Sequence, residues 1–310
     1  MSGALPAVLV EAFSEGPGGG NGAAVVCLAD PVPDAWMQSV AGSLRQSETA
    51  FLLRHDDAWL LRWFTPGCEV PLCGHATLAA LLALRHWGLL APGQTLSLRS
   101  RSGPLRVGLG ETAGRGWLEL PGGGLRADRP PDALQGLLQR RLALPCEVFW
   151  RSALGYSVAL LPPHAPLERL GGLAAELDGD LRNGLVVMQA IDSQGGVPAQ
   201  ATCPRVGGER ADYQLRFFAP GLGIPEDPVT GSAHALVAPW WMAGLGRARV
   251  VGWQCSDRPG GMVCEAVSSG TIRLSGSGHL LWDGSLRAGQ PACPFDSSAS
   301  EGWREVACAG

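Results

Sequence analysis

The stretch LRWFTPGCEVPLCGHATLAALLALRHWGLL, residues 61–90, decides the fold because the chain carries it twice. Residues 215–246 read LRFFAPGLGIPEDPVTGSAHALVAPWWMAGLG. Each copy has Leu-Arg-aromatic-Phe-X-Pro-Gly, a short loop, then a Gly-(His/Ser)-Ala step that opens an apolar segment. The offset is 154 residues at the first block (61 to 215) and 157 at the second (74 to 231), so the second loop is three residues longer. A repeat of this length implies two halves of similar architecture.

Within each copy the local signals agree. WLLRWF (59–64) and YQLRFF (213–218) are aromatic-rich runs stopped by Pro66 and Pro220, which reads as strand then loop. After Gly74 the residues Leu78, Leu81, Leu82 and Leu84 surround the helix axis, and a helix apolar all round is a buried one. The second copy repeats this after Gly231, with Pro239 expected to end or kink the helix after about two turns. Several short runs (LSLRS, PLRVGLG, WLEL, SVALLP, GLVVMQA, TIRLSG) read as strands, and PPDALQGLLQRRLALP (130–145) as an amphipathic helix. The expectation is an α+β chain with one buried helix per half. A boundary near PGGGLRADRPP (121–131) divides it into 1–120 and 121–310, with the last strands free to pack back on the first half.

Composition excludes several classes. Lys+Arg 24 against Asp+Glu 28 gives a net charge of −4, which leaves no basic excess to bind nucleic acid. Apolar runs such as TLAALLAL (77–84) are far shorter than the roughly 18–20 residues that span a bilayer. The first residues lack a basic segment and reach Glu11 early, so they read as a first strand rather than a signal peptide. The nine cysteines are scattered and form no CxxC or paired Cys/His spacing, so no metal site is expected. Reduced thiols fit a cytoplasmic location.

The start of a buried helix leaves amide N–H groups unpaired and carries partial positive charge. Gly74-His75-Ala76 and Gly231-Ser232-Ala233 therefore offer two places where a carboxylate can approach backbone. If the halves pack about a pseudo-twofold, both starts face one cleft suited to a small anion. Glu48, between Ser47 and Thr49, and the Glu226-Asp227 pair supply carboxylates nearby in sequence, and a carboxylate in a water-poor cleft suits general acid/base work. Asn21, in the glycine-rich loop 16–22, and His234, one turn into the second helix, are weaker candidates. His55, His86, His164 and His279 sit singly and read as structural or surface residues.

Four segments together carry a resemblance: SETAF (47–51), RWFTPGCEVPLCGHATLAA (62–80), FFAPGLGIPEDPVTGSAHALVAPWW (217–241) and QCSDRPGGMV (254–263). With VEAFSEGPGGGNGAAVV (10–26) and IRLSGSGHLLWDG (272–284), they resemble the phenazine-biosynthesis-like isomerase family, which has the diaminopimelate-epimerase-like fold. The resemblance implies two pseudo-symmetric α+β domains, each a curved, mostly antiparallel sheet around a central helix. It implies a cofactor-independent isomerase, usually a homodimer, that moves a proton on a small carboxylate-bearing substrate. Glu48 matches the family's catalytic acid/base, and Asp227 matches the acidic residue of its Glu-Asp-Pro-Val-Thr-Gly-Ser motif. Gly74, His75, Gly231 and Ser232 match substrate-lining positions, with Ala76, Asn21 and Ser47 beside them, and Asp227 and His75 are expected to act in catalysis by holding the substrate's amino or hydroxyl groups and steadying developing charge. Gly22 departs from the family's Gly-Asn-Pro and is expected to loosen its loop. The residues around Arg258 depart as well.

Thr230 stands where Cys73 stands in the first copy, so the chain holds one thiol where a two-thiol epimerase needs two. One-base proton relocation by Glu48 is the leading expectation. An amino-acid epimerase or racemase, or a non-catalytic binder of an anionic metabolite, is the alternative.

Overall fold

Strand β1 (Leu5–Ala12) and β2 (Asn21–Leu28) run antiparallel across the glycine-rich loop. This is the pairing that a short, glycine-rich connection permits. The computed structural model describes residues 4–163, 165–191, 203–287, 289 and 293–309, so His164 lies outside the described residues. Two compact units make up the chain: Met1–Leu120 with Ser275–Gly310, and Pro121–Leu274. Residues 275–310 thus fall in the first unit.

In the first unit, helix α1 (Asp34–Leu44) leads to β3 (Glu48–His55) and β4 (Ala58–Phe64). The two-residue β5 (Glu69–Val70) then precedes helix α2 (Gly74–His86). Strands β6 (Thr95–Ser100), β7 (Gly103–Leu109) and β8 (Arg115–Pro121) follow.

In the second unit, β9 (Leu125–Asp128) and helix α3 (Asp132–Leu142) precede β10 (Val148–Ser152), β11 (Ser157–Leu160) and β12 (Leu185–Ala190). A small hairpin, β13 (Arg205–Val206) and β14 (Glu209–Arg210), leads to β15 (Tyr213–Ala219), β16 (Ile224–Asp227) and helix α4 (Gly231–Leu245). Strands β17 (Arg249–Gln254) and β18 (Gly260–Ser268) come next. The long β19 (Thr271–Leu286) then returns to the first unit, where α5 (Glu301–Cys308) closes the description.

The first unit's strands close on themselves. β2 is parallel to β3, β3 antiparallel to β4, β4 parallel to β6, and β6 and β7 antiparallel to their successors. β8 pairs with β19, and β19 returns antiparallel to β1. A closed ring leaves no exposed edge for stray pairing. Helix α2 packs against β1, β2, β3 and β7 and is buried from Gly74 through Leu84. Each fully buried leucine contributes roughly 1.5–3 kcal/mol. Glycines in the strands make room for it: a Cβ on Gly116 would lie 2.8 Å from Leu81 and 2.9 Å from Leu78.

The second unit repeats the pattern of orientations. From β10 through β11, β12, β15 and β17 to β18 the pairings run antiparallel, parallel, antiparallel, parallel, antiparallel. That is the series found from β1 to β7. Helix α3 covers this unit with Leu134, Leu137, Leu138 and Leu142, within the limits its amphipathic pattern predicts.

Of the two outcomes expected at Pro239, an end or a kink, helix α4 does not take the first, since it runs on to Leu245. A proline inside a helix strands the carbonyl four residues earlier. Here the amide of Gly123 donates to the Ala235 carbonyl at 3.3 Å, so the orphaned acceptor is satisfied from outside the helix.

Among the described residues no helix is long and apolar enough to cross a membrane.

Candidate active site

The first group of side chains gathers where β2, β3 and α2 begin. Asn21 opens β2, Glu48 opens β3, and the parallel register sets Glu48 opposite Ala23, two residues beyond Asn21. Gly20 delivers the chain to this point with φ +68, and a Cβ there would lie 2.7 Å from that of Ser14. Only glycine takes that turn without strain. Gly22 does not loosen the loop as expected, because it already lies inside β2, opposite Glu11.

Cys73, extended at φ −144, precedes the first residue of α2, and no side chain caps the helix there. Gly74 and Ala76 lie buried in the first turn, and the Ala76 amide hydrogen-bonds the Cys73 sulfur. His75 projects into the group. Its Nε2 lies 3.0 Å from Glu48 Oε2, its Nδ1 lies 3.1 Å from Asn21 Nδ2, and Cys73 Sγ lies 3.4 Å from that same Nδ1. The Ser47 hydroxyl donates to Asn21 Oδ1 at 2.8 Å. Glu48, His75, Cys73 and Asn21 are all buried. The structure therefore brings Asn21, Ser47, Glu48, Gly74, His75 and Ala76 together.

Glu48 Oε2 and His75 Nε2 form a buried ion pair. Burial favours the neutral imidazole, but Cys73 and Glu48 alongside outweigh it, and the His75 pKa lies well above its ordinary value. Burial first, and the Glu48 charge second, push the Cys73 thiol up to about 11. At neutral pH that thiol is protonated and is no base, so Glu48 is the partner that keeps the imidazolium charged.

The second group lies in the other unit, around the start of α4. Thr230, extended, precedes the helix and donates its hydroxyl to Asp227 Oδ2 at 2.6 Å. Gln254, fully buried, donates to the Asp227 carbonyl at 2.6 Å and accepts from the Thr230 amide at 2.8 Å. Ser232 Oγ lies 3.4 Å from the Tyr156 hydroxyl, and Gly231 is buried at the helix start. Glu226 is not a free acid, because Arg216 holds both its oxygens, at 2.7 and 2.6 Å.

His234 is a core residue rather than a site residue. It is fully buried with Nδ1 2.9 Å from the Tyr213 hydroxyl, and burial pushes its pKa down to about 3.

Comparing registers shows what the second unit lacks. Thr49 pairs with Phe64 on β4, and Leu185 pairs with Phe218 on β15, where Phe64 and Phe218 are matching residues of the repeat. Glu48 therefore corresponds to Gly184, a residue at φ +148 with the Tyr156 ring in the space a side chain would need. Carboxylate and thiol occur in one copy only. Gln254 and Tyr156 escaped the sequence reading, although Gln254 stands at the head of a quoted motif.

The fold and these residues have known counterparts. The model of the PhzC-PhzF family, phenazine biosynthesis-like protein, matches residues 10–120 and 180–284. A Pseudomonas aeruginosa protein named as an uncharacterized isomerase is 34% identical over 288 residues, which is 90% of this chain and 97% of that protein. The human phenazine biosynthesis-like domain-containing protein is 30% identical, over 92% of this chain and 99% of its own. A crystal structure of a PhzF-family protein from Enterococcus faecalis superposes with TM-score 0.74 at 30% identity, covering 92% of this chain and 99% of that one. A probable proline racemase from Agrobacterium radiobacter shares the fold at TM-score 0.56 and 13% identity. The fold is thus the α+β, helix-centred class found in PhzF-type proteins and in this racemase. This chain belongs to the phenazine biosynthesis-like protein family.

Proposed function

We propose that this protein is a cofactor-independent isomerase that moves a proton on a small carboxylate-bearing molecule, with Glu48 as general acid/base. One observation carries the reading: the carboxylate of Glu48 and the imidazole of His75 are buried as an ion pair, 3.0 Å apart, at a helix start. The relatives named as isomerases agree with it.

In the proposed step Glu48 takes a proton from a substrate carbon. The C–H electron pair moves into the adjacent unsaturated system, and the same carboxyl returns the proton to a different carbon. The imidazolium of His75 and the positive end of α2 at Gly74 and Ala76 steady the charge that develops. In the second unit, Asp227, Gly231 and Ser232 at the start of α4 are the further substrate-binding residues of this reading. Glu48 and Cys73 have Gly184 and Thr230 as their counterparts in the second copy, which favours one base over two. Family resemblance and cysteine usage further suggest a homodimer in the cytoplasm.

The test is thermal-shift screening of small amino and hydroxy acids, followed by incubation of the hits in heavy water. With a deuterated substrate in ordinary water, label carried from one carbon to another supports isomerisation. Label washed out at the original carbon favours the epimerase alternative. Binding with no exchange at all would leave only a metabolite binder.

A further inference from the structure

Among the described residues, one group of three side chains brings metal-binding atoms together: Glu48, Cys73 and His75, with donor atoms within 4.8 Å of one another. The sequence shows only Cys73 and His75 as near neighbours; β3 supplies the third residue. An ion takes one nitrogen of the imidazole ring; Cys73 Sγ stands 3.4 Å from Nδ1, and Glu48 Oε2 stands 3.0 Å from Nε2. Adjacent ligands around tetrahedral zinc are roughly 3.3–3.6 Å apart, given bond lengths of roughly 2.0 Å to nitrogen or oxygen and 2.3 Å to sulfur, so the third side chain closes in from within 4.8 Å when an ion binds. Besides their ion pair with each other, Glu48 Oε2 and His75 Nε2 are buried with no hydrogen-bond partner, which leaves both able to turn to an ion.

The donor chemistry selects the ion. A thiolate and an imidazole favour zinc and its soft neighbours over magnesium or calcium, which prefer oxygen alone. Three protein ligands also leave a fourth position open, as in zinc sites that bind small molecules.

We propose that Glu48, Cys73 and His75 together bind a thiophilic divalent cation, zinc above all, taking one atom from each side chain and leaving one position for water or an anion. The ion occupies the carboxylate assigned above as the base, so it inhibits turnover. Only that inhibition rests on the isomerase reading; the binding stands without it.

The experiment uses the untagged full chain and reads binding rather than activity. One equivalent of cobalt(II) should produce a thiolate-to-cobalt absorption band that one equivalent of zinc displaces. Cys73→Ser should abolish the band, and Cys68→Ser, at an exposed cysteine elsewhere, should leave it intact. His75→Gln and Glu48→Gln should each weaken cobalt binding at least tenfold. If Cys73→Ser misfolds by circular dichroism, alkylation of the wild type followed by mass spectrometry replaces it, and zinc should then slow labelling of Cys73 selectively. No band, a band that survives Cys73→Ser, or Cys73 labelling indifferent to zinc each overturns the proposal.

Discussion

Arg62 grips Glu69 with two parallel hydrogen bonds, Nε to Oε1 and Nη2 to Oε2, both at 2.7 Å, and Arg216 grips Glu226 in the same way in the other unit. Each arginine stands on the strand before a helix, and each glutamate stands on the short strand that leads into that helix. The pair ties the approach to α2, or to α4, onto its neighbouring strand. Asp34 adds a third bond to Arg62, and the ring of Trp303 lies 5.2 Å from its guanidinium.

Removing one member of such a pair strands a buried charge. Glu226→Gln should therefore destabilise the chain by about 3–5 kcal/mol, the usual result of breaking a buried ion pair. Urea unfolding monitored by tryptophan fluorescence measures this. A loss under about 1 kcal/mol would show that Arg216 finds other partners, the Leu167 and Glu168 carbonyls being nearest.

Glu48→Gln keeps the shape of the side chain and removes its basicity. Exchange or isomerisation of a substrate found by thermal shift should fall by about 10³-fold or more, with substrate binding retained within about tenfold. Equal turnover by this variant would remove Glu48 from its proposed role.

The buried His234 makes stability fall in acid. Its folded pKa, about 3, lies below the ordinary histidine value, so the unfolded chain takes up the proton first. The contribution is complete above about pH 6.5 and is lost as pH falls toward 3, at about 1.4 kcal/mol per pH unit. Urea midpoints measured from pH 7 to pH 4 should show a shallower decline in His234→Gln. An unchanged slope would show that other groups set the acid limit.

Gly20 sets the entry to the site. Gly20→Ala must hold an alanine at φ +68 and drive its Cβ against Ser14. We expect a loss of about 1–2 kcal/mol or more, together with weakened substrate binding as Asn21 shifts from His75. Thermal unfolding with and without ligand separates the two effects.

How much the sequence reveals differs from feature to feature. The two Leu-Arg-aromatic-Phe blocks and the Gly-(His/Ser)-Ala steps are local patterns, and they determine by themselves the strands β4 and β15, the buried helices α2 and α4, and the repeat. A helix apolar on every side has to lie inside, whatever surrounds it. The motif around Glu48 and the approach to His75 are equally local, which is why both were legible as candidates.

What only the tertiary structure decided depends on partners far apart in the chain. That Pro239 must end or kink its helix follows from its missing N–H, a local fact. The Gly123 amide that satisfies Ala235 lies over a hundred residues earlier. Glu226 and Asp227 look alike as neighbouring acids until Arg216 takes both oxygens of one and Thr230 bonds to the other. The final strand joins the first unit because β1 and β8 each have an edge to fill, a demand no local pattern expresses. The thiol, imidazole and carboxylate at the start of α2 meet only because β3 runs parallel to β2 and begins beside it. Local residue chemistry therefore determined the elements and the repeat, and long-range strand pairing and buried hydrogen bonding decided which side chains met and which were already engaged.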